Sequence, residues 1–247
     1  MMEWTIWIGI AAIALTAGFI HSAIGFGFGI AAVTMLPWLI DAKHTQVIVS
    51  VASVPVMLIA VWNYRQGAEL SNLWRAILGA AIAMPLGFLA FVFVSTDLLV
   101  RGTGLVILAM VWMNFRNRAK AKRQDQSGGG SAIIAGGIGG FLAGAVSIAA
   151  PPVAAFALSQ PWDQRQFKAF LNQFLFVVSV YKCGALIVSG YVTPRVLVDA
   201  LILAPAAWGG IQLGVLASSK LSAKQFQVFV AVALILAALN YVIRGDQ

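Results

Sequence analysis

Charge is scarce in this chain. Asp, Glu, Lys and Arg make up 10% of its 247 residues, against roughly 25% in soluble domains, so an ordinary water-soluble domain is excluded. Acids are scarcest, with Asp+Glu 8 against Lys+Arg 16 and a net charge of +8. Cys183 is the only cysteine, which rules out an intrachain disulfide. The only histidines, His21 and His44, lie too far apart to form a helical ligand pair, and no metal or other cofactor is expected. No spanning segment offers an acidic partner to Cys183 or to a serine, so the nucleophile, base and orienting group of covalent catalysis are missing. An intramembrane enzyme is therefore the weaker reading. Residues Met1 to Trp4 hold neither a positive region nor a small-residue cleavage site, so the first apolar run is read as a retained helix and not a signal peptide.

What the chain has instead is apolar length, with 61% hydrophobic residues. Charge-free runs cover Trp4–Ile40, His44–Tyr64, Ala76–Thr96, Ser127–Trp162, Ala200–Ser219 and Gln225–Ile243; Leu98–Phe115 and Ala169–Val188 carry one cation each. Each is long enough to cross a bilayer. The fold expected is an all-α integral membrane protein of about eight transmembrane helices. The cations fall mostly in loops, where lipid headgroups are the expected partners in preference to nucleic acid.

Two runs are too long for one crossing. As a straight helix, Trp4–Ile40 would measure about 56 Å against a hydrocarbon core of roughly 30 Å. Gly25, Gly27 and Gly29 mark the place to break it, since each glycine costs a helix about 1 kcal/mol relative to Ala. Alanine at Gly27 is accordingly expected to hold or raise the stability of the unliganded protein. A break at membrane depth frees backbone groups that only protein or a water-filled cavity can satisfy, and a half-helix N-terminus there attracts anions. Close packing of small residues between helices is the competing reading. The second run, Gln126–Trp162, carries its breakers late too, from Ser147 to Pro152. Pro152 has no N–H to donate, and it pushes Pro151 out of the α region.

These two runs occupy matching places in an internal repeat. Gly18-Phe19 answers to Gly140-Phe141, Asp41 to Asp163, Lys43 to Arg165 and Gly87 to Gly209, an offset of 122. Residues 1–119 and 131–247 are read as two four-helix repeats, each opening with a broken or re-entrant helix, joined by a basic Gly/Ser linker at 120–130. Broken helices at matching positions point to a binding site between the halves. Four spans per half make the repeats parallel; if either long run forms a re-entrant pair, the count per half changes and they are inverted. On the four-span count, the positive-inside rule puts the linker, both termini, Arg65, Arg75, Lys182, Arg195 and Arg244 on the cytoplasmic side of the cell (inner) membrane. Lys43, Arg101, Arg165, Lys168, Lys220 and Lys224 fall outside, with Asp41 and Asp163 as helix caps at that outer face.

The glycine cluster Gly25-Phe26-Gly27-Phe28-Gly29 leads to Met35-Leu36-Pro37-Trp38-Leu39, and is followed by the turn Tyr64 to Leu70, the Pro85–Gly87 segment and the basic central loop. Gly140 to Pro152 repeats the pattern with Pro-Pro in place of the later glycines. In these features the chain resembles the sulfite exporter TauE/SafE family over nearly its whole length. The resemblance implies a multi-spanning transporter, usually outward, of small sulfur-containing anions such as sulfite, sulfoacetate or isethionate.

The candidate substrate-binding residues are Gly25, Gly27, Gly29, Ser50, Ser147, Pro151, Asn172, Gln173 and Lys182. Backbone N–H groups near Gly25–Gly29 and Ser147–Pro152 would meet oxyanion oxygens, Asn172 and Gln173 would add donors, and Lys182 would add charge. Asn172, Ser179 and Lys182 share one helical face, whereas Lys182 close to a membrane surface could instead snorkel to the headgroups. Ser50 answers to Asn172 under the 122 offset. His21, beside the first break, is the candidate for proton coupling. A passive channel with the same lining is the alternative to a carrier.

Overall fold

The computed structural model describes residues 2–64, 67, 69–95, 98, 130–218 and 232. The helices expected at 98–115 and 225–243, and nearly all of the linker, lie outside the described residues. Those described form α1 (Met2–Ile24), α2 (Phe28–Met35), a 3-10 turn (Leu36–Trp38), α3 (Ala42–Asn63), α4 (Leu70–Phe93), α5 (Gly130–Val146), α6 (Ala150–Ser159), α7 (Gln164–Val188) and α8 (Pro194–Ser218). Within them α1, α3, α4, α7 and α8 contain stretches long and apolar enough to cross a membrane. Ile82, Phe93, Val188 and Leu201 are exposed, as lipid permits and water would not.

Both long runs break. Contacts made by the glycines show that the chain then doubles back. A Cβ at Gly9 would lie 2.6 Å from Leu39 Cδ1, and one at Gly27 3.2 Å from Ile20 Cγ2, so the segment after the break retraces α1. In the second half a Cβ at Gly139 would lie 2.9 Å from Ala149 O and from Val153 Cγ2, so α6 folds back along α5. Each run is thus a re-entrant helical hairpin.

The hairpins enter from opposite ends of the bundle. α3 and its counterpart α7 run antiparallel: the start of α3 meets the end of α7, where Lys43 Nζ lies 5.8 Å from the ring of Tyr191. At the other end Tyr64 meets Lys168, and a Cβ at Gly67 would lie 3.6 Å from Gln166 Cγ. α1 packs parallel to α8, with Gly18 against Ala207 and Gly214 against Phe19 and Ser22. α5 packs parallel to α4, with Gly79 against Ile133 and Gly87 against Phe141. Small residues let these backbones touch, as is usual between membrane helices. The pairing is reciprocal: the first helix of each half lies against the third long helix of the other.

This geometry corrects several placements. Asp41 and Asp163 do cap helices: Asp41 Oδ1 accepts from His44 N at 2.9 Å, and Asp163 forms a reciprocal capping box with Gln166. They sit at opposite ends of the bundle, however, as do Lys43 and Arg165. Lys43 and Lys182, assigned to opposite faces by the four-span count, belong to one end. The physical reason is the same throughout: a hairpin returns to its own side, so the half holds one crossing fewer. At the Lys43 end α3 is fastened to α8 by His44 Nε2 and Asp199 Oδ2 at 3.1 Å, with Arg195 Nε at 3.8 Å from the same oxygen.

Candidate functional site

The first break is made by glycine. Gly25 has φ 98° and Gly27 φ 115°, a region that disfavours a Cβ. Gly25 N donates to His21 O at 2.6 Å, ending α1, and the first bond of α2 is Ala31 N to Gly27 O at 2.9 Å. The N–H groups of Phe28 and Gly29 precede that bond and are not used by the helix. Gly27 caps α2 from outside it, so alanine there meets backbone strain and gains nothing from helix propensity, contrary to the sequence-based expectation.

Asn172 clamps this break. Its Nδ2 donates to Gly25 O at 3.3 Å and to Lys168 O at 2.7 Å, and its Oδ1 lies 2.8 Å from His21 Nε2. An amide oxygen only accepts, so His21 Nε2 carries the hydrogen and Nδ1 is left buried without a partner. One layer behind, Lys168 Nζ donates to Ser22 O at 2.8 Å and sits 5.1 Å from the Tyr64 ring centroid, while Tyr64 Oη is 3.3 Å from Ser22 Oγ. Lys168 is 2% exposed; the outer-loop position expected for it is wrong, because the hairpin tip covers the start of α7.

The second break is made by a serine. Ser147, at φ 61°, is the only non-glycine residue at positive φ among the described residues. Pro151 and Pro152 lie in the first turn of α6, where no N–H is needed. Pro151 is helical and not displaced from the α region; the break precedes it. Ser147 Oγ accepts from Lys182 Nζ at 2.7 Å, reaches Gln46 O at 3.2 Å and lies 3.1 Å from Ser50 Oγ. Lys182 Nζ also donates to Ala143 O at 2.6 Å. It is 3% exposed, so its stem leads inward and does not snorkel. Ser50 Oγ donates to Gln46 O at 2.7 Å. Gln46 and Ser50 answer to Lys168 and Asn172 under the 122 offset, so each half grips the other's break with the same two turns of helix.

The breaks touch: a Cβ at Gly29 would lie 2.8 Å from Ser147 O. Between them and the face of α7 is a cavity of about 50 Å³. That is well above the roughly 10–15 Å³ needed to admit one water. Of the candidate residues, His21, Gly27, Gly29, Ser50, Ser147 and Lys182 line it, and Ser53 and Ser179 add hydroxyls. Gly25, Pro151, Asn172 and Gln173 do not. Gly25 is buried against Lys168, Pro151 is buried in α6 and Gln173 is half-buried. Asn172 has both donors and its acceptor engaged by the chain, which makes it a support for the break and not a ligand.

Sequence reasoning missed Lys168, Tyr64 and Ser22. The available signal was that Lys168 stands one helical turn before Asn172 and matches Gln46 in the repeat.

The description "Sulfite exporter TauE/SafE" matches residues 10–241. The chain belongs to the sulfite exporter TauE/SafE family. It is therefore a multi-pass integral membrane protein of a transporter family, and the paired hairpins and their cavity are features of a TauE/SafE chain. No curated protein matches it, and neither does any solved structure.

Proposed function

We propose that this protein carries a small sulfur oxyanion, sulfite before the longer sulfoacetate or isethionate, out of the cell through the cavity between the two hairpin tips. The observation that carries the reading is Lys182: a buried ammonium at the break, facing the cavity, with no carboxylate partner among the described residues. A cation buried inside a membrane protein is costly unless compensated, and such groups mark substrate pathways. An oxyanion beside Nζ would supply the missing charge. Its oxygens would find the N–H groups of Phe28 and Gly29, and the hydroxyls of Ser147 and Ser50 on turning from Gln46 O. The cavity volume favours a compact anion over one with a carbon tail.

His21 is the proton-coupling candidate in this reading. His21 lines the cavity and its Nδ1 is a buried acceptor without a partner, so a proton arriving with the anion has one defined atom to occupy. Alternating access fits two hairpins entered from opposite sides, and the inverted relation of residues 1–119 and 131–247 is supported by antiparallel α3 and α7. With the five-cation linker cytoplasmic, α5 starts at the inner face and the start of α1 lies outside.

The test is flux of radiolabelled sulfite in proteoliposomes. Lys182→Met is expected to weaken sulfite affinity at least about tenfold, read as reduced uptake and a loss of roughly 1.4 kcal/mol of sulfite-induced stabilisation. Arg75→Gln, which removes an exposed cation of α4, should change neither. Equal behaviour of the two variants overturns the reading. Flux that dissipates a sulfite gradient but cannot be driven by a proton gradient would favour a channel.

A further inference from the structure

Toward the Lys43 end the chain closes over Lys182 with aromatic rings. Phe88, Phe91 and Tyr191 form a cluster whose centroids are 6.0 Å (Phe88–Phe91), 5.5 Å (Phe91–Tyr191) and 6.4 Å (Phe88–Tyr191) apart. Phe91, in the last turn of α4, is buried. Two ammonium groups share its ring: Lys182 Nζ from the cavity and Lys43 Nζ from the first turn of α3, each 5.4 Å from the centroid. At most twice that distance separates them. Lys43 is exposed, and neither lysine has a carboxylate partner among the described residues.

A ring's negative face attracts a cation within about 6 Å of its centroid. Phe91 is thus the common counter-surface of two cations that repel each other, one in the cavity and one at the bundle surface. A small anion interacts with either cation more strongly than the ring does. An anion that reaches Lys182 or Lys43 therefore competes with the ring for the same charge and weakens what holds the ring in place.

We infer that Phe91 gates the cavity toward the Lys43 face and that Lys43 is the docking cation on the far side of the gate. The route runs from Lys182 past the displaced ring to Lys43. The identity of the passing ion rests on the anion-transport reading; the gate itself does not.

Thiol labelling tests this without transport. In a Cys183→Ser background, Ser53→Cys places a thiol on the cavity wall. The probes are an anionic sulfonate-bearing methanethiosulfonate and neutral methyl methanethiosulfonate, applied to the monodisperse folded fraction of purified protein. Phe91→Ala is expected to raise both labelling rates about tenfold, and Phe91→Leu, the gentler change, to raise them less. Lys43→Gln is expected to slow the anionic reagent about fivefold, as loss of one steering charge does, and to leave the neutral one unchanged. Rates indifferent to both Phe91 variants overturn the gate. A Lys43→Gln effect that is absent, or equal for both reagents, overturns the docking role. Faster labelling combined with no sulfite flux in the parent protein would sink the anion-transport reading and leave the gate standing; normal flux with unaltered labelling would do the reverse.

Discussion

The two hairpin tips make the same turn from different materials. At the first, glycines at 25 and 27 take positive φ and the backbone itself presents donors, the N–H groups of Phe28 and Gly29. At the second, Ser147 takes the positive φ, and two prolines follow that have no N–H to present. The side-chain donor there is Lys182 Nζ, because the Ser147 and Ser50 hydroxyls give their hydrogens to Gln46 O. The cation thus stands at the donor-poor tip. The residue that answers to it in the first half under the 122 offset is Ala60, and the other buried cation of α7, Lys168, is held a layer back from the first tip against Ser22 O and Tyr64. Matching positions in a repeat need not do matching chemistry. What the halves share is the turn and its clamp, Gln46 and Ser50 for one and Lys168 and Asn172 for the other.

Substitutions at the two tips separate these materials. The largest effect is expected at the contact between them. Gly29→Ala drives a methyl against Ser147 O, backbone against backbone, and should destabilise the protein by about 1–3 kcal/mol. Gly27→Ala has a side chain to push aside, and its cost is backbone strain of order 1–3 kcal/mol. Both should lower the melting temperature with and without sulfite; an unchanged or higher value for Gly27→Ala would mean that the residue is helical and that the turn is misassigned.

A pair of changes at Ser147 divides backbone from hydroxyl at the other tip. Ser147→Ala keeps the positive φ and removes Oγ, and should weaken sulfite-induced stabilisation by about 1.5–3 kcal/mol, the range for a hydrogen bond to a charged group. Ser147→Gly should be more stable than Ser147→Ala by about 1 kcal/mol, because glycine relieves the strain, yet bind no better. If glycine restores binding, the hydroxyl is not part of the site. The smallest effect is expected from Pro151→Ala. It loosens the unfolded chain and should cost about 0.4–1 kcal/mol of stability, with the response to sulfite unaltered. A changed sulfite response would show that the first turn of α6 contributes to the site after all.

The membrane class, the helical segments among the described residues and the places where the two long runs break were legible in the sequence, because each follows from local chemistry. Apolar length demands a spanning helix, glycine tolerates positive φ, and a proline pair cannot continue inside a helix. Duplication of the breakers at a fixed offset was legible for the same reason, and so were the caps Asp41 and Asp163. The direction taken after each break was not legible. A backbone released from a helix can continue or return with the same residues, and the choice depends on which surface packs better: Gly9 against Leu39, Gly139 against Val153. From that choice follow the antiparallel relation of α3 to α7, the opposite ends assigned to Asp41 and Asp163, and the meeting of Lys43 with Lys182 at Phe91. Burial of Lys168 and the engagement of Asn172 by His21 and Gly25 likewise join residues far apart in the chain. Local chemistry determined where the chain turns; packing between the halves decided what those turns face.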